Sequence, residues 1–169
     1  MAELAGLVLV HCQVGFLEGS GGAEPVHDAG PILERLVGLL ERARAAGAPV
    51  VFLEEVSEPE TDGPIHPALA PGPGEVVVPT QGPDVFGAPH LEGVLEALGV
   101  RHMVVAGFQT EVCMDGLVTG ALEQGLAVTV VGDAHSTWDA ESPASEVVAE
   151  HNSRFAAAAT VVDAAGVAF

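Results

Sequence analysis

Six short apolar runs, regularly separated by segments of helical spacing, constrain this chain most. The runs are Leu7–Val10, Pro49–Leu53, Val76–Val78, Met103–Ala106, Ala127–Val131 and Thr160–Val162. A continuous apolar stretch such as Leu-Val-Leu-Val suits a strand buried on both faces. Between the runs, Ile32, Leu33, Leu36, Val37, Leu40 and Ala43 recur at three- and four-residue steps, as do Leu91, Val94, Leu95 and Leu98. Val112, Leu117, Ala121 and Leu122 do so more loosely. Gly47, Gly99 and Gly125 each lie just past a helical pattern, where glycine can take the left-handed conformation that closes a helix. Ser142 followed by Pro143 reads as an N-cap and first helical position. Helices alternating with apolar strands predict one α/β domain over residues 1–169, a parallel sheet covered on both faces with right-handed crossovers. Residues 17–30 and 55–74, rich in Gly, Pro and acidic residues, read as loops.

In such sheets ligands bind beyond the carboxyl ends of the strands. That rule selects His11–Phe16, Glu54–Pro67, Pro79–Phe86, Gly107–Cys113 and Asp133–Trp138. Charge narrows the partners. The 24 acidic residues face five basic ones, all arginine, for a formal charge of -19. Nucleic acid and anionic membranes need clustered cations, so neither is an expected partner. No mechanism can use a lysine of this chain. No uncharged apolar run reaches the roughly 18 residues of a membrane helix, and Met-Ala-Glu-Leu lacks the basic start of a signal peptide. The expectation is a cytoplasmic protein. Two cysteines, Cys12 and Cys113, make no disulfide framework. Gly19-Ser20-Gly21-Gly22 fits neither the phosphate-loop nor the dinucleotide pattern, so no nucleotide cofactor is expected.

Cys113 is the candidate nucleophile. It follows the fourth apolar run after Gly107-Phe108-Gln109-Thr110-Glu111-Val112. If Thr110 caps a helix, Cys113 falls in its first turn, where unpaired N–H groups and the macrodipole favour a thiolate. The same N–H groups suit an oxyanion. Cysteine is equally at home as a small buried hydrophobe.

Gly107–Cys113 resembles the nucleophile motif of the isochorismatase-like cysteine hydrolases, which include nicotinamidases, N-carbamoylsarcosine amidases and isochorismatases. The resemblance extends through Ala121, Gly125 and Asp133-Ala134-His135-Ser136-Thr137, and upstream to Gln13-x-Gly15-Phe16, Ile65-His66-Pro67 and Phe86. It implies a three-layer α/β/α fold with a mostly parallel six-stranded sheet, and a peptide bond near Phe108–Gln109 that is often cis. It also implies a small-molecule substrate and a homo-oligomer. Two family residues are replaced. The usual aspartate two positions before Gln13 is His11, and the usual lysine six positions before Phe86 is Thr80.

Strand alternation would turn His11 into the site and Cys12 away. An imidazole there can accept a thiol proton, which gives a Cys113–His11 dyad. Backbone N–H groups of Val112 and Cys113, with Gln109 or Thr110 close by, would hold the oxyanion. Gln13, Phe16, Thr80, Phe86, His135 and Trp138 are the expected pocket residues. Asp133 and His135 read as loop-closing hydrogen bonders. No arginine falls at a predicted strand end, so a neutral amide is expected rather than a carboxylate-rich substrate. Nicotinamidase-like metal ligands are not matched by Glu54-Glu55-Val56-Ser57-Glu58 and His66, and no metal is expected. His27, His90, His102 and His151 read as surface or capping residues. The alternative is an inactive relative, kept as a binding or assembly subunit.

Overall fold

The computed structural model describes residues 4–57, 61–87 and 90–169. Its strands are β1 (Ala5–Val10), β2 (Val50–Glu55), β3 (Val76–Thr80), β4 (His102–Phe108), β5 (Ala127–Ser136) and β6 (Thr160–Val162). They form one six-stranded sheet in the order β3-β2-β1-β4-β5-β6. Every pairing is parallel. Each apolar run falls in a strand, apart from Pro49, which precedes β2, because a parallel sheet covered on both sides leaves no face for polar side chains. Leu7 and Leu9 of β1 join one core layer with Val50 and Phe52 of β2. Val8 and Val10 join the opposite layer with Val51 and Leu53.

The first layer is closed by α2 (Ala29–Ala46), through Ile32, Leu36, Leu39, Leu40 and Ala43. The second is closed by α3 (Leu91–Ala97), α4 (Asp115–Glu123) and Phe155 of α5 (Ala144–Phe155). Gly47 ends α2 at φ 69, donating to the carbonyls of Ala43 and Arg44. Gly99 and Gly125 also have positive φ just past their helices.

The structure departs from expectation at several ends. A four-residue helix α1 (Val14–Leu17) follows β1, and a 3₁₀ turn (Pro67–Leu69) lies within the 55–74 loop. The residue before α5 is Pro143, not Ser142. The capping role falls to Asp139, whose Oδ1 accepts from Ala144 N–H at 2.7 Å. His151 is buried against Phe155, and His102 is half-buried with Nε2 2.8 Å from Thr129 Oγ1, so neither is a surface residue. Among the described residues no helix is long and apolar enough to cross a membrane.

Candidate active site

The strand order reverses between β1 and β4, and such a switch point opens a crevice at the strands' carboxyl ends. A cavity of about 310 Å³ occupies that place. It is lined by His11 and Phe16 from the β1 side and by Gln109, Val112 and Cys113 from the β4 side. Glu55, Asp62, Gly82, Pro83 and Trp138 complete the wall. The two chain segments approach closely because position 107 is glycine. A Cβ there would lie 2.1 Å from the Val10 carbonyl oxygen, and the residue has φ +126.

His11 lies one residue beyond β1 in the left-handed region, φ 48. Its place in the wall therefore comes from a turn and not from strand alternation. The turn is held by His11 N–H donating to Leu53 O and Gln13 N–H donating to His11 O, at 2.9 and 2.8 Å. Cys12 does point away: it is buried in the core, and burial pushes its thiol well above the usual range. The His11 imidazole is also buried, with Nε2 2.7 Å from Thr80 Oγ1 and 3.6 Å from Glu55 Oε2. Thr80 Oγ1 in turn lies 3.2 Å from Glu55 Oε2 and 3.3 Å from Glu54 O, both acceptors only. The hydroxyl proton thus goes to an oxygen acceptor, the charged one being stronger. Thr80 then accepts from Nε2–H of His11. That tautomer leaves the Nδ1 lone pair without a partner among the described residues. No described side-chain nitrogen or oxygen is both sealed and unpaired, so Nδ1 opens to the cavity. Burial lowers the His11 pKa from 6.5 to about 4, and the ring is neutral at pH 7.

The Cys113 segment differs from expectation. Thr110–Met114 is a π-helical turn that runs into α4. Thr110 makes no capping bond; its hydroxyl meets His135 Nδ1 at 2.8 Å, on the far side from the cavity. The Val112 N–H already donates to Gln109 O at 3.2 Å. The Phe108–Gln109 peptide is cis. Cys113 is half-buried, and its thiol is pushed up to about 11, not down. Burial is the main cause, followed by the Glu55 charge; Asp62 and Glu111 add to it, against a backbone hydrogen bond at Gln109. A helix start acts over one turn, and here burial and carboxylates outweigh it. At pH 7 the resting pair is a neutral thiol and a neutral imidazole.

Of the sequence-predicted pocket residues, Phe16 and Trp138 line the cavity, with ring centroids 5.3 Å apart. Gln13 and Thr80 stand behind it. The Gln13 amide accepts from Glu55 N–H at 2.8 Å and donates to Glu55 O at 3.1 Å, fixing the end of β2. Phe86 lies elsewhere, against Gly120 of α4. His135 is buried behind the Cys113 turn; Nε2 donates to Asn152 Oδ1 at 2.9 Å, since Asn152 Nδ2 faces Gly132 O. Asp133 bonds Arg35 and Ala164 N–H, as expected of a loop-closing group. His66 is 2.9 Å from Glu18 and apart from Glu55, and among the described residues no three His, Cys, Asp or Glu side chains cluster for a metal. Glu58 lies outside the described residues.

Sequence reasoning missed Glu55, Asp62, Gly82 and Pro83 as wall residues. The strand-end rule did mark both stretches. Asp62 is carried in by a segment stitched to the first turn, with Gly15 N–H donating to Asp62 O at 2.7 Å. A Cβ on Gly15 would lie 2.8 Å from Asp62 Cα, so only glycine allows this approach.

A family model described as isochorismatase domain matches residues 5–165. The chain belongs to the isochorismatase family. Streptothricin hydrolase from Streptomyces noursei is 39% identical over 140 residues, covering 79% of this chain and 50% of that protein. Ureidoacrylate amidohydrolase RutB from Methylorubrum extorquens is 27% identical over 174 residues, covering 82% and 68%. The chain spans about half the length of the streptothricin hydrolases it matches. In fold it is similar to a cysteine hydrolase from Pseudomonas syringae pv. phaseolicola and to an isochorismatase from Pseudomonas putida. Each has TM-score 0.89 and 23% identity, covering 98% of this chain and 91% of the other.

Proposed function

We propose that this protein hydrolyses a C–N bond of a small amide through a thioester on Cys113, with His11 as the proton carrier. One observation supports the reading above others: Cys113 and His11 line the same cavity at the sheet's switch point. The thiol gives its proton to His11 Nδ1 as Sγ attacks the amide carbonyl carbon. The C–N bond then breaks, and the amine leaves with the proton from His11. Water attacks the thioester carbonyl, His11 accepts a proton, and the acid departs as the thiol is restored. Oxyanion stabilisation falls to the Cys113 N–H, because Val112 N–H, Thr110 Oγ1 and the Gln109 side chain are engaged elsewhere, the last donating to Glu111 Oε1 at 2.7 Å.

The inactive alternative also has support, since burial leaves the Cys113 thiol and the His11 imidazole both neutral at pH 7. Mass spectrometry separates the two. The hydrolase gains one equivalent of a small aldehyde at Cys113 and cleaves members of an amide panel; both are lost in Cys113→Ala. A folded protein with neither adduct nor cleavage is the binding subunit. A homo-oligomer is part of the proposal, tested by light scattering on an eluting peak.

A further inference from the structure

We propose that the cavity selects amides bearing a positive charge, an ammonium or guanidinium group held between the Glu55 and Asp62 carboxylates and the Trp138 and Phe16 rings. This rests on the hydrolase reading and names its substrate class.

The cavity wall holds two carboxylates and no cationic side chain. Glu111, just beyond it, is a third negative charge acting on Cys113. The chain's cations are committed elsewhere. Arg35 pairs with Asp133, Arg44 with Glu75 and Arg154 with Asp115, while Arg42 donates to the Ala164 and Val167 carbonyls. Arg101 lines a different cavity with Glu92 and Glu96. The sequence holds five arginines and no lysine. His11 is neutral at pH 7. Among the described residues, nothing compensates Glu55 and Asp62.

These carboxylates are held, not loose. Glu55 Oε1 accepts from Gly82 N–H and Oε2 from Thr80 Oγ1, each at 3.2 Å, while Gln13 clamps its backbone. Burial raises the Asp62 carboxyl pKa, which marks an anion short of water. An incoming cation relieves that cost. Two further observations point to a ligand. His11, only 1% exposed, leaves Nδ1 unpartnered and open to the cavity. The same cavity is lined by the Phe16 and Trp138 rings, the indole fixed by Trp138 Nε1 donating to Glu24 O at 2.7 Å, and an aromatic face attracts a desolvated cation. The expectation of a neutral amide noted the lack of arginine; the carboxylates carry it one charge further. A bound cation also offsets the charges that oppose the Cys113 thiolate, so the substrate primes its own nucleophile.

The test uses Cys113 as a reporter of local charge. Whole protein is reacted with a trimethylammonium-ethyl and a sulfonato-ethyl methanethiosulfonate, each rate normalised to a free small thiol and the site read by peptide mass. The expected cation-to-anion preference is at least tenfold at low salt. It falls at least threefold in Glu55→Gln and in Asp62→Asn, and shrinks at 1 M salt, where the screening length is about 3 Å. A normalised ratio near one overturns the proposal, as does a ratio unmoved in both folded variants. In parallel, anilides with ammonium, neutral and carboxylate acyl groups of one size are compared. Preferred cleavage of the ammonium anilide, at least tenfold in kcat/KM, supports the proposal. Cleavage of the neutral one in preference overturns it while leaving the hydrolase reading intact. Cationic labelling preference with no anilide cleaved leaves the cation site standing and removes the hydrolase reading.

Discussion

The His11 ring and the Thr80 hydroxyl are joined by a buried 2.7 Å hydrogen bond, Nε2 to Oγ1. These two residues occupy the positions where the sequence resemblance leads one to expect an acid and a base, and here they bind each other. The bond fixes the imidazole tautomer and ties β1's turn to the end of β3. Removing the Thr80 oxygen leaves the His11 N–H buried without a direct partner, since Glu55 Oε2 is 3.6 Å away. Thr80→Val should therefore cost about 1–3 kcal/mol, read from urea denaturation midpoints. Thr80→Ser keeps the hydroxyl and should cost under about 1 kcal/mol. Equal losses in the two variants would show that packing, not the hydrogen bond, is what matters.

Acid should weaken the fold through the same ring. His11 takes a proton near 6.5 when unfolded and only near 4 when folded. Between those values the unfolded chain binds more protons, so stability rises with pH and is lost as pH falls from 6.5 toward 4. The loss attributable to His11 is about 3 kcal/mol once pH is below 4. His135, also buried and held below its usual pKa, acts in the same direction from 6.5 downward. Denaturation of wild type and His11→Gln at pH 7 and pH 4.5 isolates the term. The variant's pH dependence should be shallower; identical slopes would contradict the burial argument.

The six strands and α2 were legible because burial on both faces of a parallel sheet forces apolar runs into the sequence itself. Cys113 and His11 were legible as wall residues because strand ends are where crevices open. His11 arrived there through a left-handed turn, which strand alternation does not describe. Glu55 opens the 55–74 stretch, whose composition reads as a loop. Its role depends on β2 extending to pair Glu55 with Thr80, and on Gln13 from another segment clamping it. Neither is local in the chain. The Cys113 thiol shows the same limit: a one-turn argument predicts a lowered pKa, whereas burial in the fold raises it first, followed by carboxylates of which two come from the distant positions 55 and 62.

Gly107 joins the two halves of the site, and its substitution should be among the most damaging single changes. Alanine would set a Cβ 2.1 Å from Val10 O, backbone against backbone, at φ +126. Val10 of β1 pairs with Gly107 of β4 there, while β4 shifts register against β5 between Val105 and Gly107. Gly107→Ala should cost about 3 kcal/mol or more, seen as a lower Tm or loss of soluble protein. Gly93→Ala, where nothing lies within 4 Å of the added Cβ inside α3, should be neutral or stabilising by up to about 1 kcal/mol. Equal effects would mean that the close approach of β1 and β4 is not what requires glycine.

The charge around Cys113 gives the last expectation. Iodoacetamide reacts with the thiolate, so the rate of Cys113 carboxamidomethylation against pH reports the thiol's pKa. In the free protein the midpoint should lie well above the ordinary 8.5 of a cysteine, near the value of about 11 that burial and the Glu55 charge impose. Glu55→Gln removes the strongest opposing charge and should lower the midpoint, raising the rate at pH 8. His11→Ala should leave it nearly unmoved, because a ring that is neutral above about pH 4 adds no charge at pH 8. Cys12, buried and held still higher, should stay unlabelled and serve as the internal control. A wild-type midpoint below 8.5 that rises in His11→Ala would instead mean a preformed thiolate–imidazolium pair, with the carboxylates subordinate to it.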